Sequence, residues 1–278
     1  MYKQIQNLRS ENEMYHLNVD EMNALLKCSN DPIYFIETYY HIFSKNGIEI
    51  IKLRDYQKEW LTNIHNAVVH NTIKHNYILN AARQLGKTTI LSAYLLWYAI
   101  FNNNKQILIT TYKKEMSIDT LTRIKEAILR LPTWLQPAIA MSEGNSSNWN
   151  KSYIKFANGT TITATTLVSQ NNIGIKPDFI LADEFSFADI ETQTEFMNIV
   201  FPAIAGSKNS HILMTSTGGN ITDPFIKILE KAKTGENSFL FNETAAKDVQ
   251  YYTKDDIKKM INNYGVEFVL KEFFLDNH

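Results

Sequence analysis

The sequence predicts an α/β fold, because segments typical of buried strands alternate with helical segments along the chain. Three observations carry this prediction. A short apolar segment at 77–79 leads through a loop into the apolar helix 90–101. A second strand, 106–112, is followed by the helix 116–131, and a third, 177–182, ends in adjacent carboxylates. The helix after the loop is too short to span a bilayer, so we expect it to lie in the core.

The composition indicates an ordinary soluble globular protein. Of the 278 residues, 44% are hydrophobic and 21% are charged, and both values are near the average for that class. The length suits one large domain, or one core with a smaller appendage. A formal charge of −1 argues against a uniformly basic surface, so any affinity for nucleic acid has to be local or assisted by a partner.

The single cysteine, Cys28, excludes an intramolecular disulfide and favours a reducing, cytoplasmic setting. A small core or surface thiol is the favoured interpretation over a catalytic one. The first ten residues lack the apolar stretch of a signal peptide, so we expect neither secretion nor membrane insertion. The seven histidines show no metal-ligand spacing.

The loop after the first strand is a near match to the phosphate-binding template G-x-x-x-x-G-K-[ST]. Gly86, Lys87 and Thr88 meet it, whereas Ala81 stands at the first glycine position. Gly86 lets the backbone approach a phosphate, and the amides of a helix N-terminus attract the anion. Lys87 would reach the β- and γ-phosphates and Thr88 would bind Mg²⁺. The alternative is a chance Gly-Lys-Thr at an ordinary helix start.

Two further strand ends carry chemistry. Asp183 and Glu184 follow an apolar strand, where Asp183 would hold Mg²⁺ and Glu184 would orient or deprotonate the attacking water. Thr215, Ser216 and Thr217 end another buried strand at the place of a γ-phosphate sensor, since hydroxyls can bond both phosphate and water. Each motif alone is also typical of an ordinary turn after a strand.

The segment before the phosphate loop predicts a contact to adenine. Arg54 and Gln57 are three residues apart at the start of an amphipathic helix, and a glutamine amide can pair with the adenine edge. A solvated helix is the alternative.

Other segments predict local structure. Asp31 and Pro32 suit the start of a helix that continues to Phe43, whose aromatic residues are better explained by packing than by a ligand platform. The residues 157–159 predict a hairpin, and Trp149 is interpreted as capping that hairpin rather than stacking on a base.

Taken together, these motifs resemble the ATPase half of the large terminase subunit, the DNA-packaging motor of tailed bacteriophages. The likeness covers about residues 50–245 and rests on five segments: Leu53–Gln57, Ala82–Thr89, Leu131–Pro137, Ile180–Phe185 and Thr215–Gly218. The run Arg-Gln-Leu-Gly-Lys-Thr-Thr at 83–89 is distinctive. The resemblance also accounts for Ala81, because the family does not keep the first glycine.

The resemblance implies an additional-strand, RecA-like P-loop NTPase with a mainly parallel central sheet flanked by helices. In that fold the Thr215 strand lies between the phosphate-loop strand and the Asp183 strand. We expect an ATPase core at 51–220 and a small lid-like subdomain made of 1–50 and 221–278. The family's C-terminal nuclease is missing from this sequence, so no DNA cleavage is expected of it.

The resemblance also implies that Arg83 senses or stabilises the γ-phosphate; the alternative is an arginine paired with a neighbouring acid. The predicted site has three groups of residues. They are Glu184, Arg83 and Lys87 for catalysis; Arg54, Gln57, Gln84, Gly86, Lys87, Thr88, Thr89, Thr215, Ser216 and Thr217 for ATP; and Thr88 and Asp183 for Mg²⁺.

The family usually has an arginine, thought to reach a neighbouring subunit's ATP, where this chain has Ile173. An arginine or lysine acting in trans would then be Arg123, Arg130 or a lysine such as Lys176. The implied partners are double-stranded DNA, a portal protein, the small terminase subunit and copies of this chain in a ring, expected to be a pentamer. The implied place is a procapsid in the host cell cytoplasm, with no membrane.

Two other functions remain open at this point. A helicase-type remodelling ATPase would need a second helicase-like domain, which the sequence lacks. A nucleotide-binding assembly module that does not hydrolyse ATP would be expected to lose at least one of Lys87, Thr88, Asp183 and Glu184, and all four are present.

Overall fold

The computed structural model describes residues 8–69, 76–141, 147–168, 176–205, 210–220, 222–237, 239–246, 248–249 and 252–275. The helices in these ranges are α1 (Val19–Asn30), α2 (Pro32–Tyr39), α3 (Asp55–Val69), α4 (Lys87–Phe101), α5 (Lys114–Ile128), α6 (Ile190–Ala205), α7 (Pro224–Thr234), α8 (Lys254–Tyr264) and α9 (Val266–Phe274). The strands are β1 (His41–Ser44), β2 (Gly47–Ile50), β3 (Asn76–Ala81), β4 (Gln106–Thr111), β5 (Trp149–Asn150), β6 (Tyr153–Lys155), β7 (Thr161–Thr166), β8 (Phe179–Ala182), β9 (His211–Ser216) and β10 (Phe239–Thr244).

Eight of these strands form one sheet in the order β10-β3-β9-β8-β4-β7-β6-β5. The first six pair in parallel, and β6 and β5 complete an antiparallel edge. The predicted α/β fold with a mainly parallel sheet is therefore confirmed. So is the position of β9, the Thr215 strand, between β3 and β8. The carboxyl ends of these three neighbours meet at one edge of the sheet.

Successive residues of the central strands enter two different cores, because side chains alternate across a sheet. Tyr77 and Leu79 pack in a core with α2 to α5 and α9, whereas Ile78 packs on the other face with α6 and α7. Helix α4 is buried from Ile90 to Ala99, which explains its apolar sequence. This double burial fixes the strand ends that carry the polar motifs.

Several local predictions are confirmed. Asp31 caps α2 by accepting a hydrogen bond from the Tyr34 amide, and Pro32 is its first residue. The hairpin at 157–159 joins β6 to β7, with Gly159 at φ 81°. Cys28 is a buried core thiol, and burial raises its pKa to about 12. No described helix is long and apolar enough to cross a membrane.

One predicted boundary is wrong. The helix expected to reach Phe43 ends at Tyr39, because Tyr40 is extended and His41–Ser44 pairs with β2 as a hairpin.

Part of the segment from 221 onwards lies in the sheet and its core. Strand β10 hydrogen-bonds to β3, and α7 packs in the core beside it, so 224–234 and 239–244 belong to the central layers. The division into a core and a smaller subdomain otherwise stays a prediction.

Candidate phosphate-binding site

The loop between β3 and α4 has the backbone that a phosphate cradle needs. Gly86 has φ 87°, a conformation that side-chain-bearing residues rarely adopt, and it directly precedes α4. A Cβ on Gly86 would lie 2.8 Å from Nε2 of Gln57. That nitrogen donates to the carbonyl of Leu85 at 2.9 Å. The backbone angle therefore favours glycine, and a Cβ here would also displace the end of the Gln57 side chain.

Lys87 reaches back along the loop from the first position of α4. Its ammonium donates to the carbonyls of Ala81 and Ala82, at 2.7 and 3.3 Å, and to Oγ1 of Thr217 at 2.6 Å. Burial lowers the pKa of Lys87, while the nearby carboxylates of Glu184 and Asp183 act in the opposite direction. All three ammonium protons have protein partners, so an incoming phosphate has to replace some of them.

Thr88 and Asp183 are brought together as the two motifs predict. The Thr88 hydroxyl donates to Oδ2 of Asp183 at 2.9 Å, across the gap between α4 and the end of β8. Burial raises the pKa of Asp183, against the hydrogen bond from Thr88 and the charge of Lys87, which lower it. A hydroxyl and a carboxylate at this spacing form a pair of oxygen ligands suited to Mg²⁺.

Glu184 follows Asp183 in a strained conformation, with φ 52° and ψ 44°. Its Oε2 is buried and has no hydrogen-bond partner among the described residues. Burial raises the pKa of this carboxyl, and Lys87 lowers it. Strain and an unpaired buried oxygen are costly, and such features cluster at functional sites. Glu184 is therefore ready to accept a proton or a hydrogen bond from a group that enters the site.

The three hydroxyl side chains at the end of β9 do not all point the same way. Thr217 accepts from Lys87, and Oγ1 of Thr215 is the other buried polar atom without a partner in the described chain. Ser216 instead contacts Ser186, accepting from its amide at 3.1 Å and sharing a short hydroxyl contact. Side chains alternate along a strand, so Thr215 and Thr217 face the site and Ser216 faces the turn after β8.

Arg83 lies in the loop but points at an acid on α9. Its Nε donates to Oε2 of Glu272 at 2.5 Å, and its amide donates to the Glu272 carbonyl at 3.1 Å. The guanidinium also lies 5.1 Å from the ring of Phe187. This geometry is the alternative that the sequence left open, an arginine paired with an acid. A role of Arg83 toward phosphate stays a prediction.

The remaining predicted residues surround the loop. Gln57 uses both ends of its amide on protein, accepting from the Arg54 amide at 3.0 Å and donating to Leu85. Arg54 precedes α3 and donates to the hydroxyl of Tyr56 at 3.1 Å. Gln84, at φ 63°, accepts from the hydroxyl of Tyr252. A contact of Arg54 or Gln57 with adenine stays a prediction.

Thr89 lines a cavity of about 320 Å³ between β1, α4 and α5, together with Arg123. Of the other cations considered for action in trans, Arg130 lies 4.4 Å from the ring of Phe43. Lys176 is exposed. The Ile173 position lies outside the described residues.

Sequence reasoning missed three residues of this edge. Asn80, buried at the end of β3, accepts from the amide of Gly218 at 2.8 Å and so fixes the loop after Thr217. A polar residue in a buried strand is a signal that could have found it. Ser186 and Glu272 carry no such local signal, because their hydrogen-bond partners, Ser216 and Arg83, lie far away in the chain.

Comparisons with known proteins bear on the family and the fold of this chain. A family model, described as the terminase large subunit, T4likevirus-type, N-terminal, matches residues 78–258. The large terminase of bacteriophage HK97 superposes with a TM-score of 0.68 at 16% identity, covering 89% of this chain and 55% of that one. The chain thus spans about half the length of that relative.

Two further structures have the same fold. The large terminase ATPase domain of Thermus phage P74-26 gives a TM-score of 0.59 at 14% identity, covering 82% of this chain and 94% of that chain. The large terminase of a thermophilic bacteriophage in complex with ADP gives 0.58 at 14% identity, covering 80% and 53%. Because the family model matches more than half of its residues, this chain belongs to the family of T4likevirus-type large terminase subunit N-terminal domains.

Proposed function

We propose that this chain binds ATP and Mg²⁺ at the carboxyl edge of β3, β9 and β8, and hydrolyses ATP there. The observation that carries the proposal is the contact of Thr88 with Asp183 at 2.9 Å, beside the buried ammonium of Lys87. Two motifs about a hundred residues apart thereby form one oxygen-lined site next to an anion-binding loop. Family membership supports the same function, and so does the ADP complex of a protein with this fold.

Each residue has a task in this proposal. The amides at the start of α4 and the ammonium of Lys87 bind the phosphates, with Lys87 giving up carbonyl partners in the loop. Thr88 and Asp183 would hold Mg²⁺, which supplies charge neutralisation at the β- and γ-phosphates when bound. The two unpartnered atoms, Oε2 of Glu184 and Oγ1 of Thr215, fit a hydrolytic site, since one can accept a proton from water and the other can orient it.

The finer proposal is that hydrolysis drives double-stranded viral DNA into a procapsid. It rests on membership of the terminase family. The partners would then be a portal protein, the small terminase subunit and copies of this chain in a ring, in the host cell cytoplasm. An isolated chain is expected to hydrolyse ATP slowly, because a ring motor completes its site with a neighbour.

The experiment is steady-state ATP hydrolysis by the wild-type chain, Lys87→Ala and Glu184→Gln, with and without double-stranded DNA. We expect Glu184→Gln to lose on the order of 10²-fold or more in turnover while still binding nucleotide, because it removes the base and little else. Lys87→Ala should lose binding as well.

Equal nucleotide binding by all three proteins without any hydrolysis would contradict the proposal. The chain alone would then be a nucleotide-binding module. Stimulation of wild-type turnover by DNA would support the motor function over simple nucleotide hydrolysis, and the effect should be absent in Glu184→Gln.

A further inference from the structure

Helix α9 touches the phosphate loop through one buried carboxylate. Glu272 is only 6% exposed, and its side chain pairs with Arg83 at 2.5 Å. Among the described residues, Arg83 is its hydrogen-bonded partner. Neither the family likeness nor the sequence motifs assign Glu272 a role. A buried carboxylate that loses its partner is strongly unfavourable, so the state of Arg83 must matter to α9.

The backbone ties the same two segments together. The Arg83 amide donates to the Glu272 carbonyl at 3.1 Å. Tyr252 adds a bond from its hydroxyl to Oε1 of Gln84 at 3.1 Å. The C-terminal segment is thus attached to the loop at several points. The loop and 252–275 are therefore in direct contact at Arg83 and Gln84.

The pair also lies within the electrostatic field of the site. Burial is the main cause that raises the pKa of Glu184, but Arg83 lowers that pKa and Glu272 raises it. The same two groups act on the ammonium of Lys87 with the signs expected of their charges. Arg83 is therefore close enough to act on an anion bound beside Lys87, while Glu272 opposes such an anion.

We propose that Glu272 is a positioning residue that competes with the terminal phosphate of a nucleoside triphosphate for Arg83. This inference rests on the proposed ATP site. A triphosphate offers the guanidinium a second, doubly charged acceptor, whereas a diphosphate lacks that group and leaves the pair with Glu272 intact. Glu272 thereby lowers the affinity for triphosphate selectively, and loss of its partner loosens α9 only when triphosphate is bound.

The test compares the affinity of the chain for ATPγS and for ADP in wild type, Glu272→Gln and Glu267→Gln. Glu267 is the matched control, since it lies on the same helix and is exposed. We expect Glu272→Gln to bind ATPγS about 5- to 10-fold more tightly, at the low end of usual coupling because Arg83 is 41% exposed. Its affinity for ADP should stay within about twofold of wild type, and Glu267→Gln should change neither.

Two further measurements sharpen the test, and the second needs only the wild-type chain, so it stays decisive if the variant folds poorly. In a double-mutant cycle with Arg83→Ala, the effect of Glu272→Gln on ATPγS should vanish, because the shared partner is gone. In the wild-type chain, hydrogen exchange over 266–274 should be faster with ATPγS than with ADP or no nucleotide.

Two results would overturn the inference while leaving the proposed ATPase intact. One is tighter binding of both nucleotides by Glu272→Gln, and the other is hydrogen exchange over α9 that does not change when ATPγS binds. Failure of the wild type to bind either nucleotide would overturn both.

Discussion

The two sides of the candidate site satisfy their polar groups differently. On the side of the phosphate loop, the charged groups have protein partners: Lys87 bonds two carbonyls and Thr217, and Arg83 is paired with Glu272. On the acidic side, Oε2 of Glu184 is buried without a described partner. The basic groups are thus hydrogen-bonded within the protein, whereas the acidic side has a buried hydrogen-bond acceptor without a described partner.

This difference in hydrogen bonding predicts that changes on the two sides have different effects on nucleotide affinity and on turnover. Groups on the basic side must exchange internal bonds for phosphate, so changes there should alter both the folded chain and its affinity. Groups on the acidic side already have the conformation that hydrolysis would need. The folded chain therefore bears the energetic cost of that strained conformation before nucleotide binds. Changes on that side should lower turnover more than affinity. Three substitutions test this division.

Asp183→Asn should have the largest effect. In the wild type the Thr88 hydroxyl donates to the Asp183 carboxylate at 2.9 Å. The asparagine side chain keeps an oxygen that can accept this bond, but it lacks the negative charge that would hold Mg²⁺. Since a bound metal supplies several kcal/mol of transition-state stabilisation, we expect ATP turnover to fall on the order of 10³-fold. Steady-state hydrolysis at varied Mg²⁺, beside nucleotide binding, measures it.

Asp189→Asn is the control for Asp183→Asn. Asp189 is an exposed aspartate whose side chain accepts from the Thr192 amide at the start of α6. Its substitution should leave turnover within about twofold of wild type, as for most surface changes. Loss of less than about tenfold in Asp183→Asn would show that the acidic side does not hold the metal.

Gly86→Ala tests the basic side. The new Cβ would force φ 87° on a residue that disfavours it and would lie 2.8 Å from Nε2 of Gln57. We expect a loss of about 2 kcal/mol in the free energy of unfolding, from the left-handed strain and the contact together. Affinity for ATP should fall with it, unlike in Asp183→Asn. Denaturant unfolding and nucleotide titration measure the two effects.

Gly235→Ala is the matched control for that loss. Gly235 ends α7 with φ 77°, and nothing lies within 4 Å of the Cβ that alanine would add. It should lose only the backbone term, about 1 kcal/mol, with affinity for ATP unchanged. Equal losses in the two variants would mean that the approach of Gln57 to Gly86 costs nothing.

The sequence predicted the motifs of this site better than their contacts. The cradle and the pairing of Thr88 with Asp183 follow from local signals that fix short segments: Gly-Lys-Thr at a helix start and a carboxylate at a strand end. The position of the Thr215 strand in the sheet was instead implied by the resemblance to the terminase family. Those signals are local because the backbone of a phosphate loop is built within a few residues. Residues that are far apart in the sequence, such as Thr88 and Asp183, then meet because the strands before them lie close together in the sheet.

The partners of Arg83 and Gln57 were not predictable in this way. Glu272 lies 189 residues beyond Arg83, on a helix whose sequence shows only an amphipathic pattern. The amide of Gln57, predicted to contact adenine, also bonds the Leu85 carbonyl and the Arg54 amide, which no local pattern indicates. The residues of His41–Ser44 suit a helix as well as a strand, and pairing with β2 decides for the strand. Only the contact of Arg83 is long-range; the other contacts are closer in the chain but depend on a geometry that the residue pattern does not specify.

The smallest expected effect is on stability, and its size depends on pH. Burial raises the pKa of Glu184, so in the folded chain near neutral pH the ionised carboxylate is held at a cost that the unfolded chain lacks. Glu184→Gln removes this cost and should raise the melting temperature by about 2 °C, as expected for up to about 1 kcal/mol. As pH falls through the raised pKa, the wild-type carboxyl takes up a proton and becomes neutral, so the gain should shrink toward zero.

Melting curves of wild type and Glu184→Gln from pH 8 to about pH 5 test this dependence, with Glu267→Gln as the exposed control. The control should show no gain at either end of the range, because its carboxylate lies in water in the folded and the unfolded chain. A gain in Glu184→Gln that persists unchanged at the acidic end would trace the effect to packing and not to the buried charge. The cost of holding an ionised group on the acidic side would then be negligible, and the contrast with the basic side would rest on turnover alone.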